Sequence, residues 1–395
     1  MALINFKKIE KEEIKKIENL IIGSGAGGST IGYELFKKGK EALILEEGPN
    51  IDAIEDDNIG RNIINLYKNN GATPLISSNG GPLIGFGQGS CVGGSTYVNA
   101  GYFSNTPEWI FENWIKDKKT ILKFEEFQRY IKDVKNEMNI SLDKTTSKND
   151  DSKYLFERSK NLNWKIDNCE RFSTGVSGIA KQNMNNTYHK VLLKNKIDII
   201  YNCKVEKIIS KNGIASEIIT KKIDNKFAKF KFKNLFINCG QINTPSLILK
   251  NSLLNNNEIN ENFEFHINFK ILVKFKKEIN SNFDGKYNPD IPISLYFMRE
   301  FEKEGALLSC ANNELPYMMA TASHFNDDIK KDIYLNRQNY AMFIYQIKSD
   351  SLGKIYNLHK FPIVKYKFNE KDIDQIKKAI LRISNFFLND EIEFI

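Results

Sequence analysis

Residues 19–48, NLIIGSGAGGSTIGYELFKKGKEALILEEG, constrain this chain more than any other stretch. The apolar run Leu20, Ile21, Ile22 reads as a buried strand. It breaks at Gly23-Ser24-Gly25-Ala26-Gly27-Gly28, and a helical pattern follows at once. A second apolar run, Ala42 to Leu45, ends in Glu46-Glu47-Gly48. Strand, glycine turn, helix, strand and acid in this order make a βαβ unit suited to an ADP-bearing dinucleotide. Gly23 permits the tight turn out of the strand, Gly25 lets backbone approach a pyrophosphate, and Gly28 lets helix and strand pack. The helix N-terminus offers free N–H groups and the positive end of its dipole to phosphates. Glu46 lies 18 residues past Gly28 (46 − 28), where a carboxylate accepts from ribose hydroxyls. This unit alone does not separate NAD from FAD.

At 395 residues the chain exceeds one simple core, so two lobes are expected. Its net charge of +8 is spread as single lysines among Asn and Ile, not gathered in a patch. In KFAKFKFK (226–233), Phe230 and Phe232 alternate with Lys229, Lys231 and Lys233, a period of two that describes a strand with one wet face. Nucleic acid is therefore not expected as a partner. The N-terminal stretch MALINFKKIEKEEIKKIEN is charged and lacks an apolar signal region, and no run is long enough to span a bilayer. The five cysteines are odd in number and widely spaced, with no C-x-x-C pair. Neither a disulfide framework nor a metal site is expected, and a reducing cytoplasm fits best.

Along the chain, residues 1–18 read as a charged lead-in helix ahead of the βαβ unit, and 77–81 (SSNGG) as loop. Thr106 to Ile140 has helical spacing, and the polar stretch 141–153 reads as a crossing between lobes. IDIIYNC (197–203), VEKIIS (205–210) and LFINCG (235–240) read as strands, with a hairpin turning at Asp224-Asn225. Thr244 and Pro245 read as the cap and first position of a short helix. HINFKILVKF, MFIYQIK and FPIVKYKF suggest an antiparallel sheet in a second lobe. Residues 370–388 form an amphipathic helix with Ile373, Ile376, Ile380, Ile383 and Phe387 on one stripe. The fold class is α/β: a Rossmann-like lobe with a mixed sheet, and an α+β lobe with an antiparallel sheet.

A second glycine-dense segment, GFGQGSCVGGSTYVNAG, covers 85–101. Gly93-Gly94-Ser95-Thr96, followed by Asn99, lets backbone lie against a flat ligand where a Cβ would clash, and adds hydroxyls and an amide. On composition alone, a loop supporting a turn explains the segment equally well.

The sequence resembles the glucose–methanol–choline (GMC) oxidoreductase family of FAD enzymes in four places. These are GSGAGG with LEEG (45–48), QGSCVGGSTYVNAGYFSNTPEW (88–109), FINCGQINTPSLILKNS (236–252), and the run from SDSLGKI (349–355) through PIVKYKFNEKDI (362–373). The second is closest to the branch that oxidises longer-chain or membrane-derived alcohols. The resemblance implies FAD, with Gly23, Gly25 and Gly28 on the pyrophosphate and Glu46 on the adenosine ribose. It further implies Gly93, Gly94, Ser95 and Asn99 on the flavin side, the Val205 backbone at the adenine, and Gly240 closing the adenine-side strand near the pyrophosphate. It divides the chain into residues 1–120 (FAD-binding lobe, first part), 121–184 (crossing and helical part of the substrate lobe), 185–258 (FAD-binding lobe, second part), 259–370 (substrate lobe) and 371–395 (a truncated helix returning toward the FAD lobe). The implied chemistry is hydride removal from an alcohol carbon to flavin N5, while a base takes the hydroxyl proton.

Two departures qualify the resemblance. Ser90 stands where many relatives carry Arg, and the segment in which the family places its catalytic His and partner does not follow residue 395. Of the four histidines, His189, His266 and His359 read as structural, and His324 is the most interesting because the substrate-lobe sheet of the family roofs the flavin. Cys91 reads as small apolar packing. No catalytic residue is assigned. The leading expectation is an FAD-dependent oxidoreductase of alcohols. The alternative is a non-catalytic or truncated flavin-binding module that needs a partner chain for the missing segment. An NAD-dependent dehydrogenase leaves the second glycine segment and the Thr244-Pro245 helix unexplained.

Overall fold

The computed structural model describes residues 3–9, 13–53, 59–117, 120–142, 150–172, 181–221, 227–253, 259–280, 294–358 and 361–395. The turn at Asp224-Asn225, His359 and most of the 141–153 crossing lie outside these. Two compact units are each assembled from three stretches. Met1–Asn99, Asn183–His266 and Ser349–Gln375 form the first, and Ala100–Gln182, Ile267–Lys348 and Ile376–Ile395 form the second.

The first unit is built on a seven-stranded mixed sheet. Its strands are β1 (Leu3–Asn5), β2 (Glu13–Ile22), β3 (Leu43–Leu45), β4 (Asp198–Tyr201), β5 (Lys204–Lys211), β6 (Ile214–Lys221) and β7 (Phe227–Ile237). The order is β1-β4-β3-β2-β7-β6-β5. The first five in that order run parallel, and β7-β6-β5 continue as antiparallel neighbours. Both faces are buried, which is why Leu20, Ile21 and Ile22 form a continuous apolar run instead of alternating. Leu20 and Ile22 pack with Leu45, Ile200, Phe230 and Phe232. Ile21 packs on the other side with Ile44, Leu192 and Ile199. There lie helices α1 (Ala26–Lys37) and α2 (Tyr188–Lys194). Gly32 of α1 permits close packing, since a Cβ there would sit 3.2 Å from Ile44 Cδ1 and 3.3 Å from Leu192 Cδ1.

The expected lead-in helix over 1–18 is corrected by the structure. Residues 13–18 begin β2, and Leu3–Asn5 pairs in parallel with β4. The long β7 extends the pairing edge, with Lys229 opposite Glu13 and Phe232 opposite Ile17. Within β7 the anticipated alternation is plain: Ala228, Phe230 and Phe232 are buried, while Phe227, Lys229 and Lys233 are exposed.

Helix α3 (Gly240–Lys250) starts earlier than the Thr244-Pro245 signal suggested, and Pro245 lies inside it. Thr244 still serves the helix start, because its Oγ1 accepts from Cys239 N–H at 2.9 Å. A four-stranded sheet completes the unit. In it Phe361–Tyr366 lies parallel to Thr73–Ser77 and antiparallel to Lys354–Leu358. The FPIVKYKF run thus belongs to this sheet and not to the one holding HINFKILVKF.

In the second unit, Ile392–Phe394, His266–Phe275, Tyr340–Lys348, Ala306–Cys310, Tyr296–Met298 and Ile166–Asn168 are successive neighbours in a six-stranded sheet. Antiparallel ladders join Ala306–Cys310 to Tyr340–Lys348 and Tyr296–Met298 to Ile166–Asn168. Tyr154 packs edge-on against Phe275 and Phe386 in its core. The helix Glu370–Phe387, whose residues up to Gln375 belong to the first unit, buries Asp372, Ala379, Phe386 and Phe387, whereas Ile373 and Ile380 of the expected stripe are exposed. The buried line is rotated because the Asp372 carboxylate accepts from Asp350 N–H (2.9 Å) and from the Ser351 hydroxyl.

Candidate cofactor-binding site

At the end of β2 the three motif glycines have different reasons to lack a side chain. Gly23 has φ +97°, and a Cβ there would overlap the Asn238 carbonyl. A Cβ on Gly28 would overlap the Gly23 carbonyl oxygen. Gly25 differs: it is the N-cap of α1 with ordinary φ −71°, and a Cβ there would meet nothing nearer than Gly94 Cα at 3.9 Å. Two of these glycines are required by the protein's own packing, and the third leaves space in front of a helix N-terminus. No side-chain cap serves that terminus among the described residues, so its first N–H groups remain available to an anion.

Glu46 is buried behind this turn. Its Oε2 accepts from Ser24 N–H (2.9 Å) and Ser24 Oγ–H (2.7 Å), and its Oε1 accepts from Gly48 N–H (2.9 Å). An ionised carboxylate has about four acceptor positions, so one is left for a ligand hydroxyl. The same residue therefore shapes the turn and retains capacity for a ribose.

The second glycine segment meets the first. Gly93 N–H donates to Ser24 Oγ at 3.1 Å, and a Cβ on Gly94 would lie 2.9 Å from Gly25 Cα. Both residues have positive φ, +90° and +54°. Ser95 opens the short helix Ser95–Val98, and its Oγ accepts from Gly89 N–H at 3.0 Å. Asn99 ends that helix, donates its N–H to Ser95 O (3.1 Å) and is exposed. Cys91 is fully buried against Ile51 and Leu66, and Ser90 donates to Glu47 Oε1 at 3.1 Å.

Val205 lies at the start of β5, opposite Thr220 and beside an irregularity in that ladder. Two residues earlier, Cys203 N–H donates to Glu46 O at 2.8 Å, which ties this strand end to the acid. Gly240 has φ +85°, and the space a Cβ would take is filled by the Gln88 amide, whose Nε2 donates to Cys239 O at 3.0 Å.

Sequence reasoning missed several residues here. Asn238 places Oδ1 3.0 Å from where a Gly27 Cβ would stand, and its Nδ2 is buried with no hydrogen-bond partner among the described residues. An orphaned buried donor costs about 1–3 kcal/mol, a cost that an acceptor-rich group such as a pyrophosphate would remove. The site thus fits an anionic dinucleotide on a cradle, an uncapped helix end and an unmatched donor. Lys68 pairs with Glu47. Burial pushes its pKa down to about 8, with repulsion from Lys204 adding to this and attraction to Glu46 opposing it. Ser29 and Asn185 were also missed. They bracket His189, whose pKa burial pushes down to about 4. Their only sequence signal is a polar residue amid an otherwise packed helix or turn. His324 ends a short turn and is exposed, as is His266.

Among the described residues, no three His, Cys, Asp or Glu side chains are grouped to hold a metal ion. No described helix is long and apolar enough to cross a membrane. The described cysteines are free thiols.

The GMC oxidoreductase family model matches residues 17–268, more than half of the chain. An uncharacterized GMC-type oxidoreductase of Sinorhizobium fredii is 25% identical over 59% of this chain and 49% of its own length. A long-chain-alcohol oxidase of Arabidopsis thaliana is 24% identical over 61% of this chain and 35% of its own. The chain thus matches about half, or less, of these relatives. Among solved structures, formate oxidase from Aspergillus oryzae, described for its FAD modification, superposes with TM-score 0.73 at 12% identity over 96% of this chain and 83% of its own. Pyridoxine 4-oxidase from Mesorbium loti gives TM-score 0.69 at 11% identity over 95% and 81%. At such identities these structures speak for the fold, which is α/β with a Rossmann-like cofactor unit. The chain belongs to the GMC family of FAD-dependent oxidoreductases.

Proposed function

We propose that the chain oxidises CH–OH groups of alcohols, with FAD held by the first unit. Gly23, Gly25, Gly28, the α1 N-terminus and Asn238 would take the pyrophosphate, with Gly240 closing the adenine-side strand beside it. Glu46 would take the ribose and the Val205 backbone the adenine. Gly93, Gly94, Ser95 and Asn99 would line the flavin side. One observation carries this assignment: Gly25, the glycine that internal packing does not demand, faces Gly94 of the second segment in front of an uncapped helix end. FAD, when bound, supplies the acceptor for the substrate hydride at its N5. This chain's residues contribute donors fixed before the ligand arrives, since Gly23, Gly93 and Gly94 already hold the required positive φ.

An alcohol with apolar character is favoured by the likeness of residues 88–109 to the long-chain-alcohol branch and by the long-chain-alcohol oxidase among the relatives. A cytoplasmic location is supported by the free cysteines. The test is anaerobic addition of long-chain primary alcohols, and separately of formate, to the flavin-loaded protein. Loss of the visible flavin band with the alcohols is expected. Bleaching by formate and by none of the alcohols would contradict the alcohol reading.

A further inference from the structure

His189 lies on α2 with its ring buried in a hydrogen-bond network that links both glycine segments. Nδ1 faces Asn185 Oδ1 at 2.9 Å, and Nε2 faces Ser29 Oγ at 2.7 Å. The Asn185 amide is oriented by Val92, whose carbonyl accepts from Nδ2 at 2.9 Å. Oδ1 therefore faces the ring, and Nδ1 must carry a hydrogen. In a neutral imidazole Nε2 is then bare. Ser29 has a single hydroxyl hydrogen and two acceptors before it, Nε2 and the Ser24 carbonyl at 2.8 Å.

The neutral network is consequently one proton short. An imidazolium would complete it: Nε2–H would donate to Ser29 Oγ, and Ser29 Oγ–H to Ser24 O. Burial opposes that charge, and a negative ligand at the far end of the network would offset burial. The far end is the glycine turn. Ser24 sits between Gly23 and Gly25, donates its hydroxyl to Glu46, and accepts from Gly93 N–H. The elements packed around the ring carry Tyr33, Glu34 and Lys37 on α1, Tyr188 (stacked on Tyr33 at 4.2 Å), Lys190 and Lys194 on α2, and Asp198 and Tyr201 on β4, with Cys91 and Glu46 in the adjoining turns. Glu46 is joined to the ring through Ser24 and Ser29. It already holds three donors of its own.

We propose that His189 takes up one proton when the pyrophosphate of the dinucleotide occupies the Gly23–Gly28 turn, so that the imidazolium is the buried countercharge of bound FAD. The proposal rests on the reading that this turn holds FAD. The proton comes from solvent, no bond other than N–H forms, and His189 acts as a positioning residue for the cofactor. FAD affinity then falls about tenfold per pH unit between the imidazole pKa of the apoprotein and its higher pKa in the complex, and levels off above the latter.

The test is calorimetric titration of FAD into the apoprotein at a pH of about 6.5, in buffers of different ionisation heat. Uptake of about one proton per FAD by the wild type, lost in His189→Gln, is expected. FAD binding without proton uptake, or the same uptake in His189→Gln, would overturn the proposal and leave the FAD reading standing. Failure of the wild type to bind FAD at any pH would remove both. Should His189→Gln not fold, 15N imidazole NMR of the wild type decides, since the chain has only four histidines. One ring that is neutral with Nδ1 protonated in the apoprotein must become an imidazolium with FAD; a neutral ring in both states refutes the assignment.

Discussion

At the scale of single residues, the three glycines of the first turn should separate stability from binding. Gly25→Ala has allowed φ and no clash, so its unfolding free energy should match the wild type within about 0.5 kcal/mol. Its FAD dissociation constant should rise at least about tenfold. Gly28→Ala overlaps the Gly23 carbonyl and should lose about 1–3 kcal/mol or more of stability. Urea denaturation and flavin titration of the two variants check the pair, and equal stability losses would contradict it. Asn238→Leu makes a complementary case. It replaces an orphaned buried donor by an apolar group of similar size, which is nearly neutral or stabilising in the apoprotein, while FAD affinity should fall. The glycines and Glu46 were legible in the sequence because their mechanical tasks fix residue type and spacing together. Asn238 was not, since one asparagine among many becomes informative only when the atoms around its amide are known.

At the scale of elements, the α3 start offers a direct check. Thr244→Ala removes the acceptor for Cys239 N–H and should cost about 1 kcal/mol, read as a lower urea midpoint with an unchanged slope. The βαβ strands and β7 could be read from sequence because apolar runs and period-two alternation are local properties. Residues 13–18 could not. Their charges and spaced isoleucines fit a helix, whereas the pairing that makes them a strand comes from β7, 216 residues downstream (229 − 13). The exposed Ile373 and Ile380 teach the same lesson. Helical periodicity was correct there, but the buried carboxylate of Asp372 chose which face turns inward.

At the scale of the whole molecule, individual buried titratable groups respond to pH in opposite directions. Burial raises Asp151 in the second unit from 3.8 to about 6 and Glu314 from 4.5 to about 7. The folded chain binds these protons more tightly than the unfolded one. Their contribution to stability is present below about pH 4 and is lost as pH rises through about 6 and about 7. His189 in the first unit behaves inversely, because its folded pKa is depressed from 6.5 to about 4. Its contribution is present above about 6.5 and is lost as pH falls through about 4. Asp151→Asn should therefore flatten the decline of apoprotein stability between acid and neutral pH, by about 2–3 kcal/mol. Denaturation free energies measured across that range are the check, and an unchanged slope would contradict the assignment. Composition and motifs indicated two lobes. They did not show that each unit draws on three separate stretches, since such an arrangement depends on pairings like Phe361–Tyr366 with Thr73–Ser77. The central claim is that the two glycine segments of the first unit together hold FAD. It is tested most directly by reconstituting the apoprotein with FAD and measuring the flavin retained after gel filtration. About one flavin per chain for the wild type, and far less for an equally stable Gly25→Ala, is the expected result. A folded wild-type chain that retains no flavin, or a Gly25→Ala chain that retains as much, would contradict it.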